Sequence, residues 1–345
     1  MADEVAVIIL NWNGWKDTLE CLESLYQINY PHYQVIVVDN HSQDESLEKI
    51  RQYCQGKIRI QSPFFNYQKE NKPIKITEIT NKETKSNINQ KPPTYQNPSP
   101  PNPSTQRLIL IKNDENYGFA RGNNIGIEFT LKNLDPKYIL LLNNDTVVDT
   151  DFLTEMVKTA ELEGKIGFVG PKTYLYHEKD IIQAAGGGDI DFLKGESHEV
   201  AFMEKDVGNY DKYLELDYVG GSCLLAKIEV IKKAGMLNEA YFMYWEDVDW
   251  CFNGKEAGYK SVYSFKSKIW HKYGKSSMNY FKTYYHNRNR LYFIKKHADK
   301  GVYRSFLRHY LGEILKECGY QLIYRRDWAM FKSLFRGALD GLRMN

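Results

Sequence analysis

No stretch of the 345 residues approaches the ~18 consecutive apolar residues that a membrane span needs. The start, MADEVAVIIL, is acidic and passes at once into a strand-like run, so it lacks the basic segment and longer apolar stretch of a secretory leader. Cysteine is scarce. Cys21, Cys54, Cys223, Cys251 and Cys318 are odd in number, and no two stand at C-x-x-C spacing. That pattern argues against a disulfide frame or a zinc site and predicts free thiols in a reducing, cytoplasmic setting. Glycine is missing where dinucleotide folds need it most. The turn after the first strand-like run, NWNGWKD, holds one glycine, so the G-x-G-x-x-G fingerprint is absent, as is Walker A. A hydride-transferring Rossmann enzyme is disfavoured, and the usual ATPase reading is removed. An apolar content of 42% with 26% charged residues excludes disorder as the main state. The length allows one large α/β domain or two small ones.

Charge is present but unevenly placed. Residues 1–250 hold 26 Lys+Arg and 38 Asp+Glu, whereas residues 251–345 hold 20 and 6. A basic tail on an acidic body predicts either contact with something anionic or a solvated basic helical face. The tail has no recognisable nucleic-acid motif, so a nucleic-acid partner is not expected.

The first half alternates strand and helix signals. Short apolar runs at Val5–Leu10, Tyr33–Asp39, Arg107–Lys112 and Lys137–Asp145 read as buried strands. Trp15–Tyr26, Asp44–Tyr53 and Phe119–Leu131 read as helices between them. Such alternation predicts a mostly parallel sheet covered on both faces, with ligands at the carboxyl ends of the strands. The segment Gln61–Gln106 breaks the rhythm: it has eight of the eleven prolines and no glycine, and reads as an insertion. Within it, Lys72–Ile79 has the pattern of a short strand. After Asp145 the pattern is mixed. A helix is expected around Phe152–Glu163, a strand at Ile166–Gly170, a Gly-rich turn at Gly186–Gly188, one strand-like stretch over Leu216–Lys227 and a helix near Glu229–Ala234. The chain from Tyr280 is helical in pattern.

Four polar clusters follow strand ends: Asn11–Gly14, Asp39–Asp44, Asn116–Asn124 and Asn143–Asp145. Each alone is a turn or a cap, with Asp44 a natural N-cap. Together they line one crevice. The later half has YWEDVDWCF, in which Glu246, Asp247 and Asp249 are bracketed by Trp245 and Trp250. Like charges this close repel unless exposed, paired or metal-bound. A carboxylate with a raised pKa in such a setting suits a general base acting on a hydroxyl. WHKYGKS follows another strand-like stretch and places His271 beside Lys272, Lys275 and Ser276.

These residues carry a resemblance. VIILNWNG, VIVVDNHSQDES, NYGFARGNNIGI, YILLLNNDTVVD, YVGGSCLLAK, YFMYWEDVDWCFNGKEAGY, WHKYGKSS and YYHNRNRLYFIKKH, in that order from Val5 to about His297, resemble the family 2 glycosyltransferases of GT-A fold. The likeness is strongest to the rhamnosyltransferase-like and galactofuranosyltransferase-like branch. It implies a Rossmann-like, mostly parallel central sheet flanked by helices, a mixed second half and a C-terminal helical extension. Residues 1–280 would form the catalytic domain, with a nucleotide-binding half over 1–145, the insertion at 61–106 and an acceptor-binding half over 146–280. Residues 281–345 would form a basic, aromatic helical region.

The resemblance also implies roles. Asn11, Asn13 and Asp39 would hold the nucleobase and ribose, and Asn116, Gly118 and Gly122 would let backbone approach the nucleotide. Asn143, Asn144 and Asp145 stand where the family has its D-x-D motif, so Asp145, completed by His271, would ligate Mg²⁺ or Mn²⁺ on the diphosphate. Two asparagines in place of aspartates bring less charge to such a site. The rival pairs Asp149/Asp151 and Asp189/Asp191 look like a helix start and a loop. Asp247 matches the catalytic base, with Glu246, Trp245 and Gly221 facing the acceptor and Arg288 reaching the diphosphate. The implied activity is inverting transfer from a UDP- or dTDP-linked sugar to a hydroxyl of a glycan or glycolipid. A nucleotidyltransferase and an inactive nucleotide-sugar-binding module are the alternatives. The tail pattern suits peripheral contact with an anionic membrane, or equally a helix packed on the catalytic domain or a dimer contact.

Overall fold

The computed structural model describes residues 4–85, 106–274 and 280–344. Pro92–Thr105, Lys275 and Ser276 lie outside the described residues. The first half runs β1 (Val5–Asn11), α1 (Trp15–Leu25), β2 (Tyr33–Asp39), α2 (Ser46–Cys54), β3 (Lys75–Thr80), α3 (Asn81–Lys85), β4 (Arg107–Lys112), α4 (Gly118–Asn133) and β5 (Tyr138–Asn143). It continues with β6 (Thr146–Val148), α5 (Phe152–Ala160), β7 (Ile166–Leu175), β8 (Ile181–Ala185), β9 (Gly187–Asp191), β10 (Glu196–Glu199) and β11 (Glu204–Lys205). Then come β12 (Leu214–Leu216), β13 (Tyr218–Val219), β14 (Cys223–Lys227), α6 (Ile228–Ala234), α7 (Glu246–Glu256) and β15 (Lys260–His271). Three helices close the chain: α8 (Tyr280–His297), α9 (Lys300–Tyr320) and α10 (Trp328–Arg343).

The parallel strands form because their apolar runs have two faces to bury. Val5, Val7 and Ile9 of β1 enter the core under α1 and α2, while Ala6 and Ile8 enter the opposite core with residues of α4, α7 and α8. The main sheet is ordered β11-β8-β7-β14-β5-β1-β2-β4-β3, and β15 joins it on β7. The strands from β5 through β1, β2 and β4 to β3 are all parallel, and β14 lies antiparallel between β5 and β7. This is the GT-A arrangement expected from the sequence. Register decides the site: Asn11 pairs with Asp39, Leu10 with Asn143, and Asp39 with Lys112, so the polar strand ends share one sheet edge.

Several elements differ from expectation. Gly187 and Gly188 are not in a turn but in β9, the middle strand of a small sheet ordered β10-β9-β13. A Cβ on either would stand 2.1 Å from a carbonyl oxygen, that of Tyr218 or of His198, so only glycine lets the three strands close. The stretch Leu216–Lys227 is split at Gly220–Ser222 between β13 and β14. Asp189 and Asp191 are therefore strand residues. Asp44 is not the N-cap of α2; that place is held by Glu45, although the Asp44 carboxylate accepts from the Ser46 N–H at 2.9 Å. All five thiols are free. No helix among the described residues is long and apolar enough to cross a membrane.

Candidate active site

A cavity of about 380 Å³ opens beside the end of β5, lined in part by Asn143, Gly221, Trp245, Glu246, Asp247 and His271. It thus unites Asn143, expected on the diphosphate side, with Gly221, Trp245 and Glu246, expected on the acceptor side, and with Asp247 and His271.

The carboxylate trio at the start of α7 is divided by its partners. Asp249 is fully buried and inside the fold: Lys296, His297, Tyr241 and Asn253 all donate to it. Burial opposes its charge, but the hydrogen bonds from His297 and Lys296 hold its pKa below the ordinary value. Asp247 opens to the cavity. Its Oδ2 accepts the Gly221 N–H at 2.6 Å and its Oδ1 the Val248 N–H at 2.9 Å. Burial raises its pKa despite those two donors. Glu246 is raised as well, by burial first and then by the charge of Asp247, and its Oε2 has no hydrogen-bond partner among the described residues. Two carboxyl groups with differently tuned basicity therefore face the same space.

On the other wall, His271 Nε2 lies 3.1 Å from Asp145 Oδ1. Nδ1 lies 2.8 Å from Gln183 Oε1, an acceptor only, so Nδ1 carries a proton and the Nε2 side faces the carboxylate. Two electron-rich atoms this close need positive charge between them, either a second ring proton or a cation. Among the described residues no group of three or more His, Cys, Asp and Glu side chains could hold a metal ion. A carboxylate oxygen and an imidazole nitrogen 3.1 Å apart are donors that a divalent ion such as Mg²⁺ or Mn²⁺ accepts when phosphate and water supply its other ligands.

Residues 6–72 match the profile of glycosyl transferase family 2, and residues 101–293, more than half the chain, match that of glycosyltransferase-like family 2. The chain belongs to glycosyltransferase family 2. It is 20% identical over 255 residues to the low-salt glycan biosynthesis hexosyltransferase Agl10 of Haloferax volcanii, covering 74% of this chain and 62% of that one. The chain thus spans less than two thirds of that relative's length. Among solved structures it resembles the Pyrobaculum calidifontis mannosyltransferase PcManGT in complex with GDP-Man and Mn²⁺, at 13% identity and a TM-score of 0.53, over 99% of this chain and 88% of that one. It also resembles GalNAc-T7 with UDP, GalNAc and Mn²⁺, at 13% identity and a TM-score of 0.53, over 93% and 58% of the two chains.

Other residues expected at the family's nucleotide site are occupied by the protein itself. Asp39, 1% exposed, accepts from Asn11 Nδ2, the Ser42 N–H and the Ser42 hydroxyl. Asn11 is buried and also accepts from Thr18. Asn144 turns back to Thr18 at 2.9 Å. Exposed Asn13 accepts the backbone N–H groups of Gln43 and Asp44, which ties the first loop to the second. Asn116 accepts from Asn40 and from the Gly118 N–H. The glycines have a packing reason: a Cβ at Gly118 would stand 2.5 Å from the Phe242 ring, and one at Gly122 2.7 Å from Leu10. The Phe242 carbonyl accepts the N–H groups of Phe119 and Ala120 at the start of α4.

Arg288 is likewise engaged by the protein itself. Its guanidinium donates to the carbonyls of Ala240 and Tyr241 at 2.6 and 2.8 Å and to Asn289 Oδ1, and it lies over Tyr285. It thereby braces the loop before α7. Lys272 is likewise held by Asp17 and Glu20.

Sequence reasoning missed three groups. Asn289 donates to the carbonyls of Tyr241, Met243 and Tyr244. It thereby holds a loop in which Phe242, Tyr244 and Trp245 all have positive φ, a costly geometry for bulky residues. His286, exposed at the cavity's edge, is one of its lining residues. Glu199, at the end of β10, lines it too. Its pKa is pushed up to about 7 by burial and by Asp247, with His271 opposing. Its only sequence signal was a glutamate in a short polar strand, which resembles any surface hairpin.

Proposed function

We propose that the chain transfers a sugar, with inversion, from a nucleoside-diphosphate-sugar to a hydroxyl of a glycan or lipid-linked acceptor. The observation that carries this reading is that Asp247, with a raised pKa, shares one cavity with His271, whose Nε2 faces Asp145. Asp247 takes the proton of the acceptor hydroxyl as that oxygen bonds to the anomeric carbon. The bond to the diphosphate breaks, and its electrons leave with the phosphate oxygen. Gly221 and Val248 fix the direction of the carboxylate, while Glu246 and Trp245 face the acceptor. Asp145 and His271 would hold Mg²⁺ or Mn²⁺, which supplies positive charge where the diphosphate becomes more negative. Asn143 lines the same wall.

Residues 1–145 are read as the nucleotide half and 146–280 as the acceptor half. Asn11, Asp39 and Asn116 then act by ordering the loops that form the nucleoside rim, with Asn13 exposed on it. The rhamnosyl- or galactofuranosyl-type branch and a UDP- or dTDP-linked donor rest on the sequence motifs, and a cytoplasmic reaction belongs to the same reading. The test is a panel of nucleotide-sugars with Mn²⁺, read by thermal shift and by acceptor-dependent release of nucleoside diphosphate. A donor that stabilises the protein and is turned over supports the reading. No response to any member of the panel overturns it.

A further inference from the structure

The C-terminal helices have an inner face that is packed and an outer face that is not. Phe306 and Tyr310 of α9, and Leu334, Gly337, Ala338 and Gly341 of α10, are buried. On the far side of α10, Trp328, Lys332, Phe335 and Leu342 recur at helical spacing, all exposed. On α9, Arg304, Arg308, Leu311 and Leu315 do the same. The turn between the helices carries Ile323 and Tyr324, followed by Arg325 and Arg326. Leu315, Ile323, Tyr324 and Trp328 are 71%, 69%, 78% and 63% exposed, unusual for side chains of this size.

The charge on this face is uncompensated. Residues 300–344 hold nine Lys+Arg and four Asp+Glu. All four acids are engaged: Glu313 with Arg290, Glu317 with Gln321, Asp327 as the cap of α10, and Asp340 with the Tyr284 hydroxyl. Arg304, Arg308, Arg325, Arg326, Lys332 and Arg336 have no carboxylate partner among the described residues. A second copy of the chain, joined through this face by a two-fold axis, would set these cations against one another. A surface of phosphate groups above hydrocarbon satisfies both features: the cations meet phosphate, and the aromatic and aliphatic side chains enter the boundary layer.

We propose that the outer face of α9 and α10 docks on an anionic lipid bilayer. The experiment is flotation of the full chain with phosphatidylcholine vesicles with and without phosphatidylglycerol, alongside Trp328 fluorescence. Binding is expected only with the anionic lipid, with a blue shift of the emission and reversal by salt. Each basic residue near the surface is worth about a fivefold change in partition, so R325Q/R326Q/K332Q/R336Q should weaken binding by at least about a hundredfold. W328A should weaken it with the charges intact. Both variants alter exposed positions, so unchanged melting and unchanged turnover of a soluble acceptor mark the loss as one of binding. Equal binding to neutral vesicles, or no binding to anionic ones at low salt, overturns the proposal. So does a concentration-dependent dimer that W328A dissolves.

Discussion

His271 meets Asp145 where β15 pairs with β6, with 3.1 Å between Nε2 and Oδ1, although 126 positions separate them in the chain. Gln183 sets the ring from behind by accepting from Nδ1. Partners of this kind orient a ligand and tune its basicity, and losing one costs about 10–100-fold in metal affinity. Gln183→Ala should therefore raise the Mn²⁺ concentration for half-maximal binding by that factor, measured by calorimetry in the presence of a nucleoside diphosphate. His271→Ala should do at least as much. Unchanged Mn²⁺ affinity in both would remove the pair from the metal role.

Asp247→Asn keeps the shape of the carboxylate and removes its basicity. Turnover should fall about 10²–10⁴-fold with the melting curve little changed. A near-wild-type rate would refute the assignment.

The pH profile should carry the same signature. A base works only when deprotonated, so kcat/KM should decline as pH falls through the Asp247 pKa. Burial raises that pKa, so the acid limb should lie above the ordinary carboxylate range. A limb at the unperturbed aspartate value would contradict this.

Asp249→Ala should behave in the opposite way. It leaves Lys296 and His297 facing a buried gap, and breaking such a pair costs about 3–5 kcal/mol. Denaturant melts should show the loss directly. If Asp249→Ala left stability intact and abolished turnover alone, the division of labour within α7 would be wrong.

Glu199 links protonation to stability. Its folded pKa is about 7 against an ordinary 4.5, so between those values the folded state holds more protons than the unfolded one. Stability should therefore fall as pH rises through that window, by an amount on the order of 3 kcal/mol. Glu199→Gln removes the titration and should gain relative stability from about pH 5 to about pH 8 in paired urea melts. Parallel curves for the two proteins would show that Glu199 does not hold a proton in the fold.

The strands of the first half were legible because burial on two faces demands unbroken apolar runs: β2 and β4 coincide with Tyr33–Asp39 and Arg107–Lys112. The Gly187–Gly188 strand was not legible, since glycine signals a turn unless a neighbouring backbone forbids a side chain, and the neighbour of Gly187, Tyr218, lies 31 positions on. Glu246, Asp247 and Asp249 looked alike as a string of acids.

By itself the sequence determined the parallel sheet and the set of polar strand ends, because apolar period and the polar residues that end it are local properties. Tertiary structure alone decided which acid is free. Gly221, Lys296 and His297 arrive from distant elements, and a carboxyl group takes its basicity from whatever donor or apolar wall is folded against it. The same folding from distant elements tied Arg288 to the loop before α7 and brought Glu199 into the cavity.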